Sequence, residues 1–145
     1  MDSVRRAYYA VQRAWSGQDW EAWAGTCAEG YRFDTGAGLR LDVAGTLAWS
    51  RAWFAAFPDY AEEVGALHIG ADSAVAELVG EATSTADFVL GEATLLPATG
   101  RRFRIEYAKV LVFDADLKVV RDKQYQDRLD LYGQLGVRIP ADLGR

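Results

Sequence analysis

The chain has 145 residues, half of them hydrophobic and 12% aromatic, with a formal net charge of -5. That length leaves room for one domain around one core, and the acidic balance argues against nucleic acid or an anionic membrane as partner, since either needs a basic face. Cys27 is the sole cysteine, which excludes an intrachain disulfide and a cysteine-based zinc site and fits a reducing, cytoplasmic setting.

Residues 1–11 carry Asp2, Arg5 and Arg6 where a signal peptide needs an apolar core, and no run reaches membrane-spanning length. Val4, Ala7, Tyr8, Val11, Ala14 and Trp15 recur at helical spacing, predicting an amphipathic helix that ends near Ser16 and Gly17. Asp19 can cap a second helix through Trp20, Trp23, Ala24 and Cys27, closed by Gly30. Tyr31–Asp34 alternates as a half-buried strand, followed by a flexible break at 35–38. Asp42 or Thr46 can cap a third helix that runs to Pro58. Its Trp49, Trp53 and Ala56 fall on one face and Leu47, Ser50, Phe54 and Phe57 on another, so it should contact two things at once.

From Tyr60 onward the pattern turns to strands, over 60–69, 74–85, 102–113 and 117–125. The first and last connections are short and predict hairpins. The middle one, 87–100, is longer and apolar enough to close over a pocket. The last strand stops at Asp127, where a short helix begins with Leu129, Leu131, Tyr132 and Leu135 as its stripe; Gly136 supplies the residue past its end and Pro140 stops any continuation. Helices followed by an antiparallel meander indicate a single α+β domain, a curved antiparallel sheet wrapped around the N-terminal helices over an aromatic-lined cavity.

Three segments carry a family likeness: AAFPDY at 55–60, LPATGRRF at 96–103 and YQDRLDLYGQLGV at 125–137. In order and spacing they resemble the SnoaL-like polyketide cyclases of the nuclear transport factor 2-like superfamily. The resemblance implies a cone-shaped α+β barrel over residues 1–145, dimeric or tetrameric, with a deep cofactor-free pocket and no metal. It further implies a hydrophobic aromatic polyketide as substrate, closed into a ring by an intramolecular aldol step with an aspartate as acid/base. Asp127 matches the position of that aspartate. The chain departs from the cyclases at 110–113, where Val-Leu-Val-Phe stands in place of polar side chains.

Each candidate residue has a plainer alternative. Asp127 is also an excellent helix cap. Tyr125 shares its strand parity and could polarise a carbonyl, whereas Asp122 and Gln124 take the opposite parity unless a bulge shifts the register. Asp34 ends a strand where it could act as a base or cap a loop. His68 is the one side chain whose ordinary pKa is near neutral, or a structural histidine. Glu77 and Glu81 belong on a solvated face, within reach of Arg102 or Arg104. Trp53 and Phe57 are expected as pocket walls, with Trp49, Tyr8, Gln124 and Tyr107 as further substrate contacts. Two other functions compete with the cyclase: an epoxide hydrolase or isomerase, the hydrolase built on Asp127, Asp34 and Arg104, and a ligand-binding module without chemistry.

Overall fold

The structure, a computed structural model, describes residues 2–138; Pro140 lies outside them. Three helices alternate with the first strands in the order α1 (Asp2–Ser16), α2 (Trp20–Gly25), β1 (Cys27–Asp34), β2 (Arg40–Leu41) and α3 (Val43–Ala56). The meander follows as β3 (Ala61–Ile69), β4 (Ser73–Thr83), β5 (Phe88–Leu90), β6 (Ala93–Leu96), β7 (Arg102–Phe113) and β8 (Val119–Gln126), and α4 (Arg128–Leu135) closes the described chain.

Local chemistry explains the boundaries. Asp19, Asp42 and Asp127 each accept a hydrogen bond from a backbone N–H in the first turn of the helix they precede, satisfying a donor the helix cannot. Gly136 ends α4 at φ 70°, a left-handed conformation cheap only for glycine. The second helix is shorter than its apolar spacing suggests. Thr26 closes it by donating its backbone N–H to Trp23 O at 2.9 Å, and Cys27 already pairs with Val119 in the sheet. Sheet pairing therefore overrides helical periodicity over 27–30.

The large sheet has the order β2-β1-β8-β7-β4-β3. All neighbours are antiparallel except β1 and β8, which run parallel, so the expected wholly antiparallel sheet is mixed. That pair joins the two ends of the chain and leaves no hairpin signal to read. The middle connection folds into its own β5–β6 hairpin, whose Phe88 and Leu96 are buried beside α3.

Period-2 alternation assigns the two faces of the large sheet. On β7, Phe103, Ile105, Leu111 and Phe113 are buried against the helices, and Arg102, Arg104 and Glu106 point outward. The outward charges pair with one another. Glu81 meets Arg102 at 3.2 Å and Arg104 at 3.6 Å, and His68 lies 2.8 Å from Glu77. Behind the sheet, α3 contacts two surfaces, as its sequence requires: Trp49 and Trp53 stack at 5.4 Å towards β5, while Phe54 packs on Trp15 and Trp20. Among the described residues no helix is long and apolar enough to cross a membrane.

Candidate active site

Two inward-facing positions on β7 are not hydrophobic, Tyr107 and Lys109. They stand opposite Gln126 and Gln124 of β8, and Leu111 stands opposite Asp122. One stripe of the sheet interior therefore carries Tyr107, Lys109, Asp122, Gln124 and Gln126. Trp49, Trp53, Thr46 and Ser50 of α3, Trp15, Trp23 and Tyr60 complete the wall of a narrow cavity of about 30 Å³. Trp49, Trp53, Gln124 and Gln126 also line an adjoining outer chamber of about 300 Å³, bounded by Phe88, Leu95 and Leu96 of the hairpin and by Leu131 and Tyr132 of α4. The apolar connection between β4 and β7 thus forms one side of the mouth.

Asp122 is the buried carboxylate of this cavity, 2% exposed. Tyr31 donates a hydrogen bond to its Oδ2 at 2.9 Å. Lys109 Nζ lies 3.4 Å from Oδ1, an ion-pair distance without hydrogen-bond alignment, so Oδ1 has no hydrogen-bond partner. Burial raises the pKa of Asp122, because a low-dielectric surround penalises its charge; the Lys109 ammonium and the Tyr31 hydroxyl pull the other way. The Lys109 ammonium itself sits over the rings of Phe33 and Trp15, 5.4 and 5.8 Å from their centroids. Burial followed by the Asp122 charge holds the Tyr31 hydroxyl well above its ordinary value, which makes it a hydrogen-bond donor rather than an acid.

Thr46 Oγ1 and Trp53 Nε1 are the other buried side-chain atoms without a hydrogen-bond partner among the described residues. Both side chains line the same cavity as Asp122. Buried polar atoms are ordinarily satisfied, so three unsatisfied ones around one space point to a ligand or water that completes them. Such a constellation suits a proton transfer: a carboxylate whose charged form is disfavoured by burial, an adjacent cation, and free polar groups to orient a substrate.

The residues singled out from sequence divide between this cavity and other places. Trp49, Trp53, Gln124 and Tyr107 line it. Tyr8 lines a smaller neighbouring space of about 20 Å³ with Glu62 and Lys109. Phe57 is 1% exposed and packs behind Trp53 on Phe103, away from either opening. Four residues considered for catalysis are not brought in. Asp127 is exposed and accepts the Asp130 N–H at 3.0 Å as the cap of α4. Tyr125, 52% exposed, faces outward under Lys123. His68 is on the outer face with Glu77. Asp34 accepts the Gly36 N–H at 2.9 Å, which with nearby Lys123 and Arg40 keeps its carboxyl below the ordinary range. Asp127, Asp34 and Arg104 do not converge on the cavity. Asp122 and Lys109 form the buried charge pair of the cavity, and of the two only Asp122 was weighed from the sequence. The available signal was strand parity: Asp122 and Gln124 oppose Asp127, and a lone lysine interrupts the buried stripe of β7. The inward polar side chains of β7 stand earlier on the strand than 110–113, at Tyr107 and Lys109.

The sequence model for "SnoaL-like polyketide cyclase" matches residues 5–135. None of the curated proteins compared matches the chain. Among solved structures, TsrD from Streptomyces laurentii is 24% identical with a TM-score of 0.78, over 95% of this chain and 98% of that one. A SnoaL-like polyketide cyclase from Agrobacterium tumefaciens is 21% identical with a TM-score of 0.74, over 92% and 98%. A LEH-like epoxide hydrolase from M. tuberculosis is 13% identical with a TM-score of 0.70, over 93% and 90%. At these identities the structural likenesses establish the fold.

Proposed function

Because the chain belongs to the SnoaL-like polyketide cyclase family, we propose that it is a cofactor-independent cyclase that closes a ring in an aromatic polyketide, with Asp122 as its acid/base. The observation that carries this reading is a fully buried carboxylate inside an aromatic-walled cavity, its Oδ1 paired with the Lys109 ammonium at 3.4 Å but free of a hydrogen bond. The inner space is about the size of one water molecule. It therefore receives only the reacting carbonyl end, while the ring system occupies the outer chamber, whose 300 Å³ falls at the lower end of ligand-sized pockets.

The step balances without a cofactor. Asp122 Oδ1 takes a proton from a carbon flanked by two carbonyls, and the resulting enolate carbon bonds to a ketone carbon elsewhere in the substrate. The ketone oxygen becomes an alkoxide, and the protonated Asp122 returns the proton to it. Burial makes Asp122 a stronger base than an exposed carboxylate, and the Lys109 ammonium offsets charge on the enolate. Gln124 and Gln126 offer amides to the remaining carbonyls at the neck. Tyr31 fixes the orientation of the carboxylate.

Incubation with an aromatic polyketide β-keto ester bearing a free ketone tests the proposal. The expected product is a ring-closed isomer, or its dehydrated form, containing no oxygen from labelled water. Incorporation of solvent oxygen without ring closure would instead assign the water-activating chemistry of a hydrolase. Tight binding with no turnover would leave a ligand-binding module.

A further inference from the structure

The wall of the outer chamber is uncharged but for one side chain. Among the described residues that line it, Arg128 alone carries a charge; the rest are apolar or neutral, such as Phe88, Leu96, Leu131, Gln124 and Gln126. Arg128 also lines an adjoining groove of about 240 Å³ that shares Thr35, Gln124 and Gln126 with the chamber. The other charge on that groove is again positive, Lys123. A chain of net charge -5 thus presents only cations on the walls of these two spaces.

The two cations differ in what answers them. Lys123 Nζ lies 3.8 Å from Asp34 Oδ2 and 4.9 Å from the centroid of the Tyr125 ring, so its charge has a partner within the protein. Arg128 takes part in none of the ion pairs among the described residues. Its acidic neighbours in sequence are committed to α4 instead: Asp127 accepts the Asp130 N–H at 3.0 Å, and Asp130 accepts the Gln134 amide at 2.9 Å. One bond anchors the guanidinium, donated from Nη2 to Gly36 O at 2.7 Å. Residue 36 can approach β8 so closely because it has no side chain: its φ is 77°, and a Cβ would lie 2.9 Å from Gln124 O.

A guanidinium offers several N–H donors in a planar fork that matches a carboxylate, and the single bond to Gly36 leaves most of them free. Half-buried and already anchored, Arg128 gives up little further freedom when an anion arrives. We propose that Arg128 is a specificity residue that binds a carboxylate on the ring system held in the outer chamber, so that the substrate is a free acid at the end remote from its reacting carbonyl. This rests on the cyclase reading, which supplies an oxygen-rich aromatic ligand, and adds that ligand's charge. Lys109 does not compete for the carboxylate, because its ammonium is paired with Asp122 at 3.4 Å.

The test is calorimetric binding of 2-naphthoic acid, which is ionised at neutral pH, beside its uncharged methyl ester, at low and high salt. The wild type should bind the acid about tenfold more tightly than the ester, as a charge-assisted pair at a partly exposed site does, and the preference should shrink as salt rises. Arg128→Met should bind the two alike, Arg128→Lys should keep part of the preference, and Lys123→Met should keep most of it. The readout is the ratio of the two affinities, since a loop displaced by loss of the Gly36 bond would weaken both ligands together. Equal binding of acid and ester by the wild type overturns the proposal, as does a preference that survives Arg128→Met, a preference that Lys123→Met abolishes just as fully, or failure of the wild type to bind the acid. Neither ligand can cyclise, so the result is separate from turnover. A preference lost with Arg128→Met in a protein that closes no ring would sustain the carboxylate contact and overturn the cyclase reading; ring closure without any preference would do the reverse.

Discussion

Lys109 Nζ and Asp122 Oδ1 stand 3.4 Å apart inside the sheet, one charge on β7 and its counter-charge on β8. The aspartate is 2% exposed, so its ionised form depends on that lysine. Burial holds its pKa above the ordinary carboxylate value, and Lys109 then Tyr31 pull it down. If ionised Asp122 is the base, the acid limb of kcat/KM lies above the ordinary carboxylate range. Lys109→Met and Tyr31→Phe should each move that limb to higher pH, as pH–rate profiles will show. An unmoved limb in both variants would detach Asp122 from the rate.

The same shift has a consequence for stability. A carboxyl with a raised folded-state pKa contributes stability that is complete below its unfolded-state pKa and is lost as the pH rises through the folded-state one, because the folded state binds the proton more tightly than the unfolded chain and that advantage vanishes once both are ionised. Denaturant unfolding of the wild type and Asp122→Asn over an acid-to-neutral series should show the wild type losing ground to the variant as pH rises. A constant difference would mean that Asp122 does not titrate in this range.

Asp127 provides the contrasting case. Its carboxylate accepts from Asp130 N at the start of α4, so Asp127→Ala should cost about 1 kcal/mol in unfolding free energy, as lost caps do, while Asp127→Asn, also a good cap, stays near the wild type. Both should retain turnover when assayed below their unfolding transition.

Much of this architecture was written locally, and much of the site was not. The caps at Asp19, Asp42 and Asp127, the strand over 102–113 and the glycine after α4 each rest on a few neighbouring residues, so short-range chemistry suffices to read them. Burial of Asp122 depends on partners distant in the chain: Tyr31 on β1, reached through a parallel pairing, and Lys109 on β7. The hinge aspartate matches the position that the family resemblance gives to the acid/base, at the end of the last strand. One residue of register, however, separates the inward row Asp122, Gln124, Gln126 from the outward row Arg121, Lys123, Tyr125, and only cross-strand pairing with Lys109 and Tyr107 says which row faces the cavity.

Gly80 tests how tightly the interior is built. A methyl group there would fall within 2.8 Å of the Tyr60 ring, so Gly80→Ala should displace Tyr60 and cost about 1–3 kcal/mol, the usual cost of overpacking. Thermal unfolding measures the loss; an unchanged midpoint would mean the ring has room to move.

Cys27 is half-buried, with its Sγ 3.6 Å from Trp23 O, and burial pushes its thiol up to about 12. Alkylation of the folded protein by iodoacetamide near neutral pH should therefore be slow and should accelerate with denaturant in step with unfolding. Fast alkylation of the native protein would place the thiol in a more polar setting.

The most direct measurement is turnover of a polyketide β-keto ester by Asp122→Asn beside Asp127→Asn, with ligand binding and folding checked for both. The account predicts that Asp122→Asn folds, binds, and loses about a thousandfold in kcat, within the range for removal of a general acid/base, whereas Asp127→Asn turns over nearly as the wild type. Retained turnover in Asp122→Asn together with its loss in Asp127→Asn would contradict the account and return the chemistry to the hinge.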